Sequence, residues 1–129
     1  MTYIAKPRMH HPTLTAKITG TVDMLSGGRL ILGVGVGGEY PPEFAAVGAD
    51  LAERGPRTDE AIEIIRRHWT EQKVEYHGRF HDFGPVKIEP KPVRPGGPPI
   101  IVGGRKAVSM RRAGRLGVGL DHPHAAGEV

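Results

Sequence analysis

The chain has 129 residues, of which 38% are hydrophobic and 25% charged, with a formal charge of +4 and no cysteine. This is the composition of a folded globular domain rather than a disordered segment. It excludes disulfides, thiolate catalysis and cysteine metal sites, and no apolar run approaches the length of a membrane span.

Thr2 to Ala5 reads as a short strand. Pro12 suits the first position of a helix, where its missing N–H costs nothing. Leu14, Ile18, Val22 and Leu25 follow at helical spacing and form one apolar face, expected to be the buried one. Gly20 within this helix is unfavourable by about 1 kcal/mol relative to alanine and marks a place of close packing. Gly27-Gly28 supplies a left-handed stop. Arg29 to Val34 then runs apolar without alternation, the pattern of a buried parallel strand.

Residues 35–50 read mostly as loop, with one helical turn around Glu43 to Val47. A longer helix is expected from Pro56 to about Trp69, with Ile62, Ile65 and Trp69 as its inward stripe. Val74, Tyr76, Phe80, Phe83, Val86 and Ile88 are β-prone, with Gly78 and Gly84-Pro85 as turns, so this stretch reads as an inserted hairpin. Five prolines between 90 and 99 form a stiff connector to a short strand, Ile100 to Val102. A helix from about Lys106 to Leu116 and a strand start at Val118 to Leu120 follow, and residues 121–129 read as a disordered tail. Alternation of strands and helices implies a parallel sheet with crossovers.

Two glycine-rich strand ends carry the functional signal. Gly33-Val34-Gly35-Val36-Gly37-Gly38 satisfies the form G-x-G-x-x-G, yet Pro41-Pro42 argues against the immediate helix that a dinucleotide-binding turn requires. Glycines here either make a tight turn or let backbone N–H groups approach a phosphate or flat ring. Val102-Gly103-Gly104-Arg105-Lys106 repeats the arrangement before a helix N-terminus, which favours phosphate. Arg57, near the start of the long helix, needs either a bound anion or a carboxylate partner such as Glu53 or Glu60.

Seven histidines are spaced in no metal-ligand pattern, so no metal is expected. Scattered cations and 5% aromatics point away from nucleic acid. Met1 to Lys6 lacks a signal-peptide pattern, and a cytoplasmic location is the expectation.

Taken in order, these motifs resemble the bacterial luciferase-like family of flavin- and deazaflavin-dependent oxidoreductases. The match is carried by His11-Pro12, by Asp23-Met24-Leu25-Ser26-Gly27-Gly28-Arg29-Leu30, and by the loop from Gly33 to Gly38. Further on it is carried by Glu43-Phe44, Glu53 to Ala61, Trp69-Thr70-Glu71, His77-Gly78-Arg79-Phe80, Pro90-Lys91-Pro92-Val93, Pro98 to Gly104, and Arg111 to Gly117. The resemblance implies an α/β fold, here a partial TIM-type (β/α) barrel over residues 1–120 with parallel strands and an inserted β-hairpin. A complete barrel typically takes about 250 residues. It implies FMN or the deazaflavin coenzyme F(420), a small-molecule substrate, hydride transfer or oxygen activation, and homo-oligomers. Residue by residue, it places Gly35, Val36 and Gly37 near the ring or ribityl chain. Gly103, Gly104 and Arg105 fall near the phosphate, and Arg57 at a basic position that helps hold it. Many relatives carry serine or asparagine where this chain has Arg105, which tilts the reading toward the more anionic deazaflavin. No catalytic acid or base is assigned; His10 or His11, near an early strand end, is the candidate by position. The alternative is a non-catalytic barrel fragment that self-associates without cofactor.

Overall fold

A computed structural model describes residues 2–5 (as backbone), 10–36, 40–103 and 111. The expected helix over 106–116, the strand start at 118–120 and the tail lie outside these residues, apart from Arg111, which is helical.

Three strands form a parallel sheet in the order β1, β2, β5: β1 (Thr2–Ala5), β2 (Ile31–Val34) and β5 (Ile100–Val102). Tyr3 pairs with Leu32, and Leu32 and Val34 pair with Ile100 and Val102. Between β1 and β2 lies α1 (Pro12–Ser26). Between β2 and β5 lie α2 (Pro41–Ala46), a 3-10 turn (Leu51–Glu53), α3 (Arg54–Thr70) and an antiparallel hairpin of β3 (Val74–His77) and β4 (Asp82–Val86). This is the α/β arrangement of a barrel segment, and the described strands do not close into a barrel.

The core sits between the sheet and the two long helices. Leu32, Val34, Ile100 and Val102 project from the strands onto Ala16, Ile62, Ile65 and Trp69. The inward stripe of α3 is the expected one, widened by Thr58, Ala61, Ile64 and His68.

Helix α1 has the expected ends but not the expected buried face. Pro12 opens it, and Gly27 closes it at φ 71°, its N–H among those returning to the last carbonyls. The buried side is Thr15, Ala16, Thr19, Gly20, Asp23 and Ser26, whereas Leu14, Ile18 and Leu25 are exposed and Val22 is half-buried. Small side chains explain the rotation. A Cβ on Gly20 would stand 2.6 Å from the Pro90 carbonyl oxygen, so the connector passes directly over α1, as the glycine predicted. The Trp69 indole N–H donates to Thr19 Oγ1 at 3.1 Å. Asp23, fully buried, accepts from the backbone N–H groups of Leu30 (3.4 Å) and Arg94 (3.1 Å). Close approach and paired polar groups therefore outrank the greasier stripe.

Two further expectations are corrected. Pro41 and Pro42 open α2 rather than prevent it, since the first helical turn needs no N–H donors. Gly84 and Pro85 lie within β4, and the hairpin turns instead over residues 78–81. A two-stranded hairpin has only edge strands, where proline is tolerated.

Candidate functional site

Strand register joins the two glycine-rich strand ends. Because β2 and β5 are neighbours and parallel, Gly35 and Gly103 emerge side by side at their carboxyl ends. The Gly103 N–H donates to the Val34 carbonyl at 2.9 Å, carrying the pairing one residue past the strand. Gly35, Val36 and Gly103 are each half-buried. Among the described residues, a Cβ on Gly35 would meet no atom within 4 Å beyond its chain neighbours. The site thus offers main chain without an intervening side chain, which fits the approach of a flat ring or phosphate. Gly37, Gly104 and Arg105 lie outside the described residues.

Arg57 has found a carboxylate partner. Its guanidinium donates to Glu53 Oε1 at 3.3 Å, one turn back on the helix, and lies 4.3 Å from the centre of the Phe80 ring. Its side chain is 17% exposed, so this pairing is partly desolvated.

A second polar cluster ties the hairpin to both helices. Glu60 on α3 accepts from the backbone N–H groups of Arg79 (2.6 Å) and Phe80 (2.9 Å) and pairs with His81 Nδ1 at 2.6 Å. The His81 and Glu60 side chains are only 10% and 9% exposed. The His81 ring meets the His11 ring edge-on, 5.2 Å between centres. His11 is the N-cap of α1, its Nδ1 accepting the Thr13 N–H at 3.2 Å. That contact leaves the proton of neutral His11 on Nε2.

His68 is buried beneath Phe83, with the two rings stacked 5.8 Å apart. Its Nε2 contacts Thr13 Oγ1 at 2.9 Å, and among the described residues its Nδ1 has no partner. An unpaired lone pair is cheaper than an unpaired N–H, so His68 is neutral with its proton on Nε2, donated to Thr13. Burial above all, then the Lys91 ammonium, holds the His68 pKa below its ordinary value. Burial and the nearby His81 do the same for His11. His77 goes the other way. Bonds to Glu75 (2.9 Å) and Asp82 (2.5 Å), two carboxylates that favour the imidazolium, raise its pKa.

Sequence reasoning placed His77 and His81 in the hairpin but missed the Glu60–His81 pair. Between β4 and the start of α1 runs a groove of about 350 Å³, lined by His11, Leu14, Lys17, Phe83, Val86 and Ile88 among others. It shares no residue with the glycine strand ends.

Comparison with known proteins agrees with this architecture. Residues 1–124 match the family model described as luciferase-like monooxygenase. The chain is 33% identical over 108 residues to the FMNH(2)-dependent dimethylsulfone monooxygenase of Pseudomonas putida, covering 81% of this chain and 30% of that protein. It is 34% identical over 113 residues to the F420-dependent glucose-6-phosphate dehydrogenase of Amycolatopsis mediterranei, covering 85% and 33%. Among solved structures it superposes on the monooxygenase RslO1 of Streptomyces bottropensis with a TM-score of 0.82 at 33% identity, covering 95% of this chain and 38% of that one. The chain therefore spans about a third of the length of the proteins it resembles. With the family model matching nearly its whole length and the fold agreeing, the chain belongs to the luciferase-like monooxygenase family.

Proposed function

We propose that this chain forms a cofactor-binding wall of a flavin- or deazaflavin-dependent oxidoreductase that acts on a small organic substrate by hydride transfer or oxygen activation. The observation that carries this reading is the juxtaposition of Gly35 and Gly103 at adjacent parallel strand ends, with no described residue against the Cβ position of Gly35. Ligands of open and closed α/β sheets bind at this edge. The named relatives use FMNH(2) and F420, which supports either FMN or coenzyme F(420) here.

In this proposal Gly35, Val36 and Gly37 present backbone to the ring and ribityl chain. Gly103, Gly104 and Arg105 receive the phosphate. Arg57 contributes by exchanging its Glu53 partner for that anion. The bound cofactor would supply the redox chemistry, while the chain binds, orients and keeps side chains clear of the ring face. The proposal extends to a cytoplasmic, self-associating protein; no helix among the described residues is long and apolar enough to cross a membrane.

The test is titration of the purified chain with FMN and, separately, with coenzyme F(420), read by the cofactor's own emission. Saturable micromolar binding of one, weakened at least tenfold by Gly35→Val, supports the site and selects the cofactor. A folded chain that binds neither supports the alternative of a self-associating fragment without cofactor.

A further inference from the structure

The contacts around His11 form a connected unit that the cofactor reading does not use. The hairpin tip is gathered on one carboxylate, because Glu60 collects the backbone N–H groups of Arg79 and Phe80 and the His81 ring. The His81 ring also meets the His11 ring in a T-shaped contact, 5.2 Å between centres. His11 in turn caps α1 through the same Nδ1 that a proton would occupy. One imidazole thus serves the helix start and the hairpin contact together.

We propose that Glu60, His81 and His11 form an acid-labile clasp holding the tip of the β3–β4 hairpin against the first turn of α1, and that protonation of His11 opens it. A protonated His11 loses its acceptor, so the Thr13 N–H gives up its side-chain partner. The new cation then stands at the positive end of a 15-residue helix. It also faces the His81 ring, whose Nδ1 is already engaged with Glu60.

The other charged groups around it do not reverse this. Lys17 from α1 lines the same groove, and its ammonium donates to the Glu89 carbonyl at 2.6 Å. Asp82 from β4 also lines it, but its carboxylate is held by His77. From α3, His68 lies behind Phe83 with its Nε2 on Thr13, and the Arg57 guanidinium covers Phe80.

The experiment follows the backbone amides of Arg79 and Phe80 by NMR in the full chain, with the Trp69 indole N–H as a core reporter, between about pH 8 and pH 5. The expected result is loss of hydrogen-bonded shifts and at least tenfold faster exchange at the hairpin tip while the indole signal holds. His11→Asn keeps a capping acceptor that takes no proton but gives up the ring contact with His81, so exchange at the tip is expected to stay at one level from pH 8 to pH 5 rather than rise in acid. In the unmodified chain, the His11 ring-proton midpoint must coincide with the hairpin midpoint. The clasp is overturned by a tip that stays docked at the lowest pH, or by His11→Asn opening as the parent does. Joint movement of tip and indole, or midpoints differing by more than about half a pH unit, also overturns it.

Discussion

At the scale of single residues, Trp69 is held from two sides and each contact sets a requirement. Gly97 lies at φ 90°, and a Cβ there would run into the indole ring. Gly97→Ala is expected to cost about 2–5 kcal/mol, the sum of a left-handed backbone penalty and overpacking. Denaturant midpoints measure it. On the other side, Thr19→Val preserves shape but leaves the indole N–H with no acceptor, an expected loss of about 1–3 kcal/mol with a shift in Trp69 emission. An unchanged midpoint would mean that water replaces the hydroxyl. Neither requirement was legible in the sequence. Gly97 sits in a proline-rich connector that reads as plain linker. Thr19 lies on the stripe of α1 that hydropathy ranks second. Gly20 was legible, because a glycine inside an otherwise good helix has a cost that only close packing explains. Gly35 and Gly103 were legible one at a time. That they stand side by side depends on the β2–β5 register, across more than sixty residues of chain.

At the scale of elements, the ends of α1 were written locally, in Pro12 and Gly27, so its limits followed from sequence. Its rotation did not, because two stripes share the same period and the choice between them belongs to Trp69 and the connector. The α1–α3 contact also carries a pH dependence. His68 is buried neutral, so the unfolded chain binds more protons than the native one just below the ordinary histidine pKa of 6.5. Stability from this group is therefore complete above 6.5 and falls as the pH drops from there toward the depressed native value. His77, with its raised pKa, has the opposite sign, losing its contribution as pH rises through its native value, but it is exposed and screened. Urea midpoints are expected to fall between about pH 7.5 and pH 5.5, and His68→Phe, which retains the stack on Phe83, is expected to flatten that slope. A slope unchanged in the variant would move the proton uptake elsewhere.

At the scale of the whole molecule, the described residues leave apolar surface unfinished. Leu14 is 56% exposed and Leu25 76%, with Ile18 between them on the same side of α1. In the same set, β1 and β5 are the outer strands of the sheet, each presenting one unpaired row of backbone groups. A helix stripe of this kind is ordinary inside a complete barrel, where neighbouring units cover it, and costly when open to water. The chain studied alone is therefore expected to self-associate through this side. Sedimentation velocity over a range of concentrations measures it, with Leu14→Lys and Leu25→Lys combined as the comparison. Both positions point to solvent in the single chain, so the double variant keeps the fold, with Trp69 emission unchanged, and weakens association at least tenfold. Association equal in parent and variant would assign it to the strand edges instead, where an added backbone partner depends little on the helix side chains. A parent chain that stays monomeric at high concentration would show that the stripe is tolerated in water, and the expectation of self-association would fall with it.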